Sequence, residues 1–174
     1  MKCSICKESV LKARREPYVY RECGLGDEVT LINIEVRRCP RCGATEPIIP
    51  RLSELHWHIA LTLTRKPGLL DGREIRFLRS YLGHSSKDFA SLVGVQPETA
   101  SRWENDRQDI GVPYDALLRT LVVYGKRVET YDEPRPTLPE EILALVRQAA
   151  RPTRVQMKPP TKTQSWSGQL VRAA

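Results

Sequence analysis

Two pairs of cysteines carry the clearest chemistry in this chain. Cys3 and Cys6 stand in CSIC, Cys39 and Cys42 in CPRC, and Gly43 follows the second pair directly. A C-x2-C loop presents two thiolates to one ion, and two such loops complete the tetrahedral sulfur set that Zn2+ favours. Gly43 suits the left-handed backbone that closes such a knuckle; Lys7 holds the matching place after Cys6. Four thiolates leave no coordination position for water, so the expectation is one structural Zn2+ and no hydrolytic chemistry. The competing reading of either pair is a dithiol redox switch. Cys23 has no partner in this arithmetic and reads as an idle thiol.

Something must hold the two knuckles together. The intervening YVYREC and EVTLINIEVRR are rich in β-formers, with Val29, Leu31, Ile32, Ile34 and Val36 set among polar residues and LGDE as a turn between them. The pattern predicts a hairpin with a knuckle at each end, a zinc-ribbon-like module over residues 1–46. So small a module has little core, and the metal would supply much of its folding free energy.

Residues 47–70 change character. Leu52, Leu55, Ile59 and Leu63 share one helix face, and the run stops at Lys66-Pro67-Gly68, which reads as a connecting helix and linker. His56 and His58 are two apart and face different sides of such a helix, so they do not form a metal pair.

Over residues 71–127 the helix caps are legible. Asp71 with Glu74, and Ser85 with Asp88, have capping-box spacing; Gly94 ends one helix and Pro97 begins the next. Ile75, Leu78, Leu82, Phe89, Ala90, Val93, Val95, Ala100 and Trp103 recur at helical spacing as a small core, and YDALLRTLVVYG adds Leu117, Leu118, Leu121 and Val122. Two short helices joined by Gly94-Val95-Gln96 suggest a helix-turn-helix. With Ala100 and Trp103 inward, the second helix leaves Glu98, Thr99, Ser101, Arg102 and Asn105 outward. Arg102 suits guanine O6 and N7, Glu98 suits cytosine N4, and Thr99 completes the base-contacting set. Ser85, Ser86, Lys87, Ser101, Asn105 and Arg107 lie where phosphate contacts arise. The plain alternative is an ordinary helical bundle, since this arrangement alone specifies no activity.

Beyond this, residues 128–150 read as a linker and a helix with Ile142, Leu145, Val146 and Ala149 in one apolar stripe, which either caps the core or meets its copy in a dimer. Residues 151–174 hold five basic groups and no acid, and their Pro, Thr, Gln and Ser content reads as a disordered basic tail. Residues 51–150 hold fourteen basic and fourteen acidic groups. That neutrality counts against nucleic-acid binding, and a dimer with a basic tail would offset it. The longest run without Lys, Arg, Asp or Glu is ten residues, Leu55 to Thr64, too short to span a bilayer. The N-terminus has no apolar leader, so the expected site of action is the cytoplasm.

The order of these motifs resembles a known family. CSIC and CPRCG followed by LDGREIRFLRSYLGHSSKDFASLVGVQPETASRWENDR look like the MqsA/YgiT-type proteins, which join a four-cysteine zinc module to a helix-turn-helix of the Xre/Cro type. The resemblance covers roughly residues 1–125. It implies an α+β, multidomain chain: a small β-rich zinc module, an all-α lambda-repressor-like domain and a flexible basic tail. It also implies a zinc module that binds a partner toxin, often an mRNA-cleaving ribonuclease, and a homodimer that represses its own operon by binding double-stranded promoter DNA. Cys3, Cys6, Cys39 and Cys42 take the places of the zinc ligands, and Arg102 falls on the base-reading arginine. Glu98 replaces a base-reading asparagine of the best-known member, which implies a different operator. Ser86 occupies a place where a phosphate-contacting glutamine is common. The segment 46–70 and the extension past Gly125 depart from a minimal antitoxin. The leading expectation is therefore a non-enzymatic transcriptional regulator and antitoxin. The alternative is a zinc-ribbon interaction module with DNA binding only as a tether.

Overall fold

The structure, a computed structural model, describes residues 2–8, 10–125, 145–146, 148, 153–162 and 164–172. It is a mixed α/β arrangement with one five-stranded sheet and five helices among the described residues. A hairpin forms, but its first strand lies earlier than the expected YVYREC. Here β1 (Lys12–Val19) pairs with β2 (Val29–Arg38), Arg21–Cys23 forms a turn of 3-10 helix between them, and β3 (Thr45–Ile48) returns from the second knuckle along the far half of β2. Glu16 lies opposite Ile34 but Tyr18 opposite Leu31, so β2 carries one extra residue across from Pro17. Proline cannot donate to a ladder, and Asn33 takes the left-handed conformation there at φ 59°. The bulge reverses the strand's parity: Val29 and Leu31 are buried before it, Ile34 and Val36 after it.

The helix predicted over 47–70 is α1 (Leu52–Thr64), but it is no surface connection. Ten of its 13 residues are buried. It packs on the sheet through the C-terminal strands and on the helical layer through α2 (Gly72–Tyr81) and α5 (Val112–Gly125). Between those lie α3 (Ser86–Val93) and α4 (Pro97–Glu104). Both halves of the Asp71/Glu74 capping box are formed, Ser85 caps α3, and Gly94 closes it at φ 75°.

The expected disordered tail is corrected by the structure. Residues Thr153–Lys158 form β4, parallel to β2 with Val29 beside Val155 and Leu31 beside Met157, and Ser167–Arg172 form β5, antiparallel to β4. The signal was a short alternation, Val155 and Met157 with Trp166 beyond, among polar and basic residues whose average composition concealed it. Trp166 is 1% exposed; its indole N–H donates to the Pro50 carbonyl at 3.0 Å, and its backbone N–H to Glu54 Oε1 at 2.8 Å.

The expected separation into a zinc module and a helical domain is likewise replaced. One continuous apolar cluster runs from Tyr20 and Val36 through Leu55 and Leu63 to Leu78, Trp103, Val122, Met157 and Trp166. A helix with ten of 13 residues buried, Glu54, His58, Thr62 and Thr64 among them, cannot be a linker; it needs partners on more than one face. The helix predicted within 128–150 falls outside the described residues except at Leu145, Val146 and Gln148, and Val146 packs on Ala116. No helix among the described residues is long and apolar enough to cross a membrane.

Candidate functional site

The hairpin brings the four predicted cysteines together. Cys3 and Cys39 are buried, Cys6 half-buried and Cys42 exposed. The Sγ atoms of Cys3 and Cys42 are 3.6 Å apart, as are those of Cys6 and Cys39, and all four lie within 4.8 Å of one another. A tetrahedron with metal–sulfur bonds of about 2.3 Å has edges of about 3.8 Å, whereas a disulfide would draw two sulfurs to about 2.0 Å. The cluster therefore has the size of a metal site.

Its two knuckles close alike. Lys7 N–H donates to the Cys3 carbonyl at 3.1 Å and Gly43 N–H to the Cys39 carbonyl at 3.0 Å. Both closing residues are left-handed, Lys7 at φ 60° and Gly43 at φ 73°. The unfavourable residue in the first knuckle is thus forced into the shape that glycine adopts freely. Electrostatics favour a cation in the middle. The backbone N–H of Cys42 holds the Cys39 thiol below its ordinary pKa. At Cys42 the Ala44 N–H pulls downward, but the neighbouring thiols, Cys39 first, push the group up to about 11. Four sulfurs this close cannot all ionise unaided, and a divalent ion removes that conflict. The residues present fit one metal ion.

A second acidic group, Glu28, Asp71 and Glu74, also converges within 4.8 Å. Here Lys66 Nζ already donates to both Glu74 oxygens at 2.8 Å. Burial pushes the Glu74 carboxyl up to about 7 against the pull of that ammonium.

In the helical layer, α3 and α4 pack together across Gly94-Val95-Gln96, with Ala100 and Trp103 buried. Glu98, Ser101, Arg102 and Asn105 are exposed and Thr99 is half-buried. The side chains of Glu98, Thr99, Arg102, Lys87 and Arg107 make no hydrogen bond or ion pair among the described residues. Ser86 is half-buried in the first turn of α3. The other three residues expected at phosphate have internal tasks. Ser85 Oγ donates to Asp88 and accepts its N–H. Asn105 donates to the Ser101 carbonyl at 2.7 Å and accepts from Arg76 at 3.1 Å.

Two ion pairs that hold this layer escaped the sequence reading. Arg79 donates to both oxygens of Glu104, at 2.6 and 3.1 Å, fixing α4 to α2. Arg119 and Asp115 are fully buried and paired at 2.5 Å; the guanidinium also donates to the carbonyls of Thr64, Lys66 and Gly68, and Asp115 Oδ2 accepts from Leu70 N–H. An Asp and an Arg four apart inside the apolar YDALLRTLVVYG were the available signal, since a buried charge must be paired.

Compared with protein-family models and with curated proteins, the chain matches none.

Proposed function

We propose that this chain is a sequence-specific, DNA-binding transcriptional regulator stabilised by one structural Zn2+, acting as a homodimer and repressing its own operon. The observation that carries the reading is the outer face of α4, where Arg102 projects unengaged from a helix that Arg79 and Glu104 hold rigidly. Such a helix suits the major groove, and an arginine with all its donors free suits a guanine edge. Paired α4 helices about one DNA turn apart would occlude a palindromic promoter. Ser86, Lys87 and Arg107 remain available for phosphate, and they set register without reading sequence. All-thiolate coordination with no vacant position favours Zn2+ in a structural role. The MqsA/YgiT-type resemblance supports the same reading and adds the antitoxin role.

The test is binding of the zinc-loaded protein to DNA upstream of its own gene at physiological salt, beside Arg102→Ala. Loss of about 1–3 kcal/mol, confined to the specific site, is the expected result. Weak, salt-sensitive binding identical for both proteins would overturn it.

A second reading has its own observation. Ile5 is 72% exposed at the tip of the first knuckle and Val10 is 62% exposed beside it, apolar side chains suited to a protein partner such as a toxin. Co-purification of a small protein that chelation releases is the outcome that supports this reading, and partner retention after Ile5→Asp would sink it.

A further inference from the structure

A cleft of about 270 Å³ opens where the turn after β1 meets α2. Cys23 comes from that turn, His56 from α1, and Arg73, Arg76, Phe77 and Tyr81 from α2. It shares no residue with the cysteine cluster or with the outer face of α4. Two aromatic side chains line it: Phe77 is 8% exposed and meets the His56 ring edge-on, the ring centroids 5.9 Å apart. Burial holds His56 below its usual pKa, so the ring is neutral at pH 7, and its Nε2 is 2.9 Å from the Tyr20 hydroxyl.

Two arginines stand on the rim. Arg73 and Arg76 stand three apart on α2 and so share a face, each about half exposed. Arg73 pairs with Glu28 at 2.9 Å. Gly26, at φ 62°, lies against it: a Cβ there would fall 2.5 Å from the guanidinium. Arg76 is different. The carboxylate nearest to it, Glu104, is already neutralised by Arg79, and Arg76 reaches it only at 3.5 Å. Its hydrogen bonds go to neutral oxygens, the Glu104 carbonyl at 2.8 Å and Asn105 Oδ1 at 3.1 Å. The one carboxylate on the cleft wall, Glu22, accepts from the Tyr18 hydroxyl. Arg73 is balanced by Glu28 and Glu22 stands on the wall. The group that can take an anion is therefore the Arg76 guanidinium, whose hydrogen bonds go only to neutral oxygens, beside aromatic side chains that can pack against a ring.

We propose that this cleft binds a small aromatic anion, its carboxylate or phosphate taken by Arg76 with Arg73 and its ring packed against Phe77 and His56. Arg76 also ties α2 to the end of α4, so a ligand that draws its guanidinium inward loosens the contact with Asn105. The site stands whether or not α4 reads DNA.

The experiment titrates the full-length, metal-loaded protein with benzoate and with phenyl phosphate at constant ionic strength. Acetate and inorganic phosphate serve as ringless controls, and arginine, histidine and asparagine side-chain NMR resonances are followed. Saturable shifts at Arg76, His56 and Asn105 are expected, with at least one ringed probe binding tenfold or more tighter than its ringless control. The headgroup preferred identifies the ligand class. Arg76→Gln or Arg73→Gln, whichever retains the wild-type fold by circular dichroism, should weaken binding at least tenfold, and Arg102→Ala should leave it unchanged. Non-saturating shifts, equal binding of ringed and ringless anions, or binding indifferent to loss of both arginines would overturn the proposal.

Discussion

Lys7 and Glu74 each sit where their chemistry is under strain, for opposite reasons. Lys7 closes the first knuckle at φ 60°, a conformation that costs a residue with a Cβ about 1–2 kcal/mol. Lys7→Gly should therefore raise stability by about 1 kcal/mol, read from urea unfolding of the metal-loaded protein; a loss would mean that the lysine side chain contributes more than the backbone strain costs. Glu74 is 1% exposed, and burial carries its carboxyl from 4.5 to about 7. A carboxyl whose folded pKa lies above its unfolded value holds its proton longer in the native state. Its contribution is complete below pH 4.5 and fades as pH rises through about 7. The stability margin of wild type over Glu74→Gln should thus narrow between pH 5 and pH 7. A margin that widens would show Lys66 keeping the carboxylate ionised throughout.

At the scale of elements, α4 is held by contact and by charge. Gly72 opens α2, and a Cβ there would lie 2.7 Å from the Trp103 and Glu104 carbonyl oxygens at the end of α4. Alanine in a first helical turn is ordinarily favourable, but here the two backbones approach too closely to admit it. Gly72→Ala is expected to cost about 1–3 kcal/mol by urea denaturation. If α4 binds DNA, promoter affinity should fall with it, because the substitution displaces the helix that carries Arg102. An unchanged urea midpoint would show that the two helices can part without penalty. Gly72 reads in the sequence only as a neighbour of the Asp71 cap; its role depends on a helix 30 residues further along.

At the scale of the whole molecule, α1 decides the architecture. Its buried faces bind the sheet and the helical layer into one cluster, and the β4–β5 hairpin closes over it through Trp166. Such a protein should unfold as one unit. Far-UV circular dichroism, dominated by helices, and tryptophan fluorescence, which includes Trp57 and Trp166, should give superimposable urea curves. Trp166→Ala should shift both together by about 3–5 kcal/mol. Two separated transitions, with helices outlasting the sheet, would restore the picture of independent modules.

What could be read along the chain was local. The knuckles close over four residues and the capping boxes over three, so Cys3, Cys6, Cys39, Cys42, Asp71, Glu74 and Ser85 declared themselves through spacing alone. The second strand of the hairpin, the buried faces of α2 to α4 and the outward face of α4 followed from periodicity. On α5 Leu118 and Val122 are buried as expected, but Leu117 is 39% exposed and Asp115 and Arg119 lie on the inner face. The parity reversal at Asn33, the burial of α1 on more than one face and the pairing of β4 with β2 and β5 did not. Each depends on a partner distant in sequence: Trp166 finds Pro50 from 116 residues away, and β4 finds β2 across the whole helical layer. A short alternation such as Val155-Gln156-Met157 gains its free energy only when a strand edge and a helix already stand ready to bury it, and that surface exists only in the folded protein.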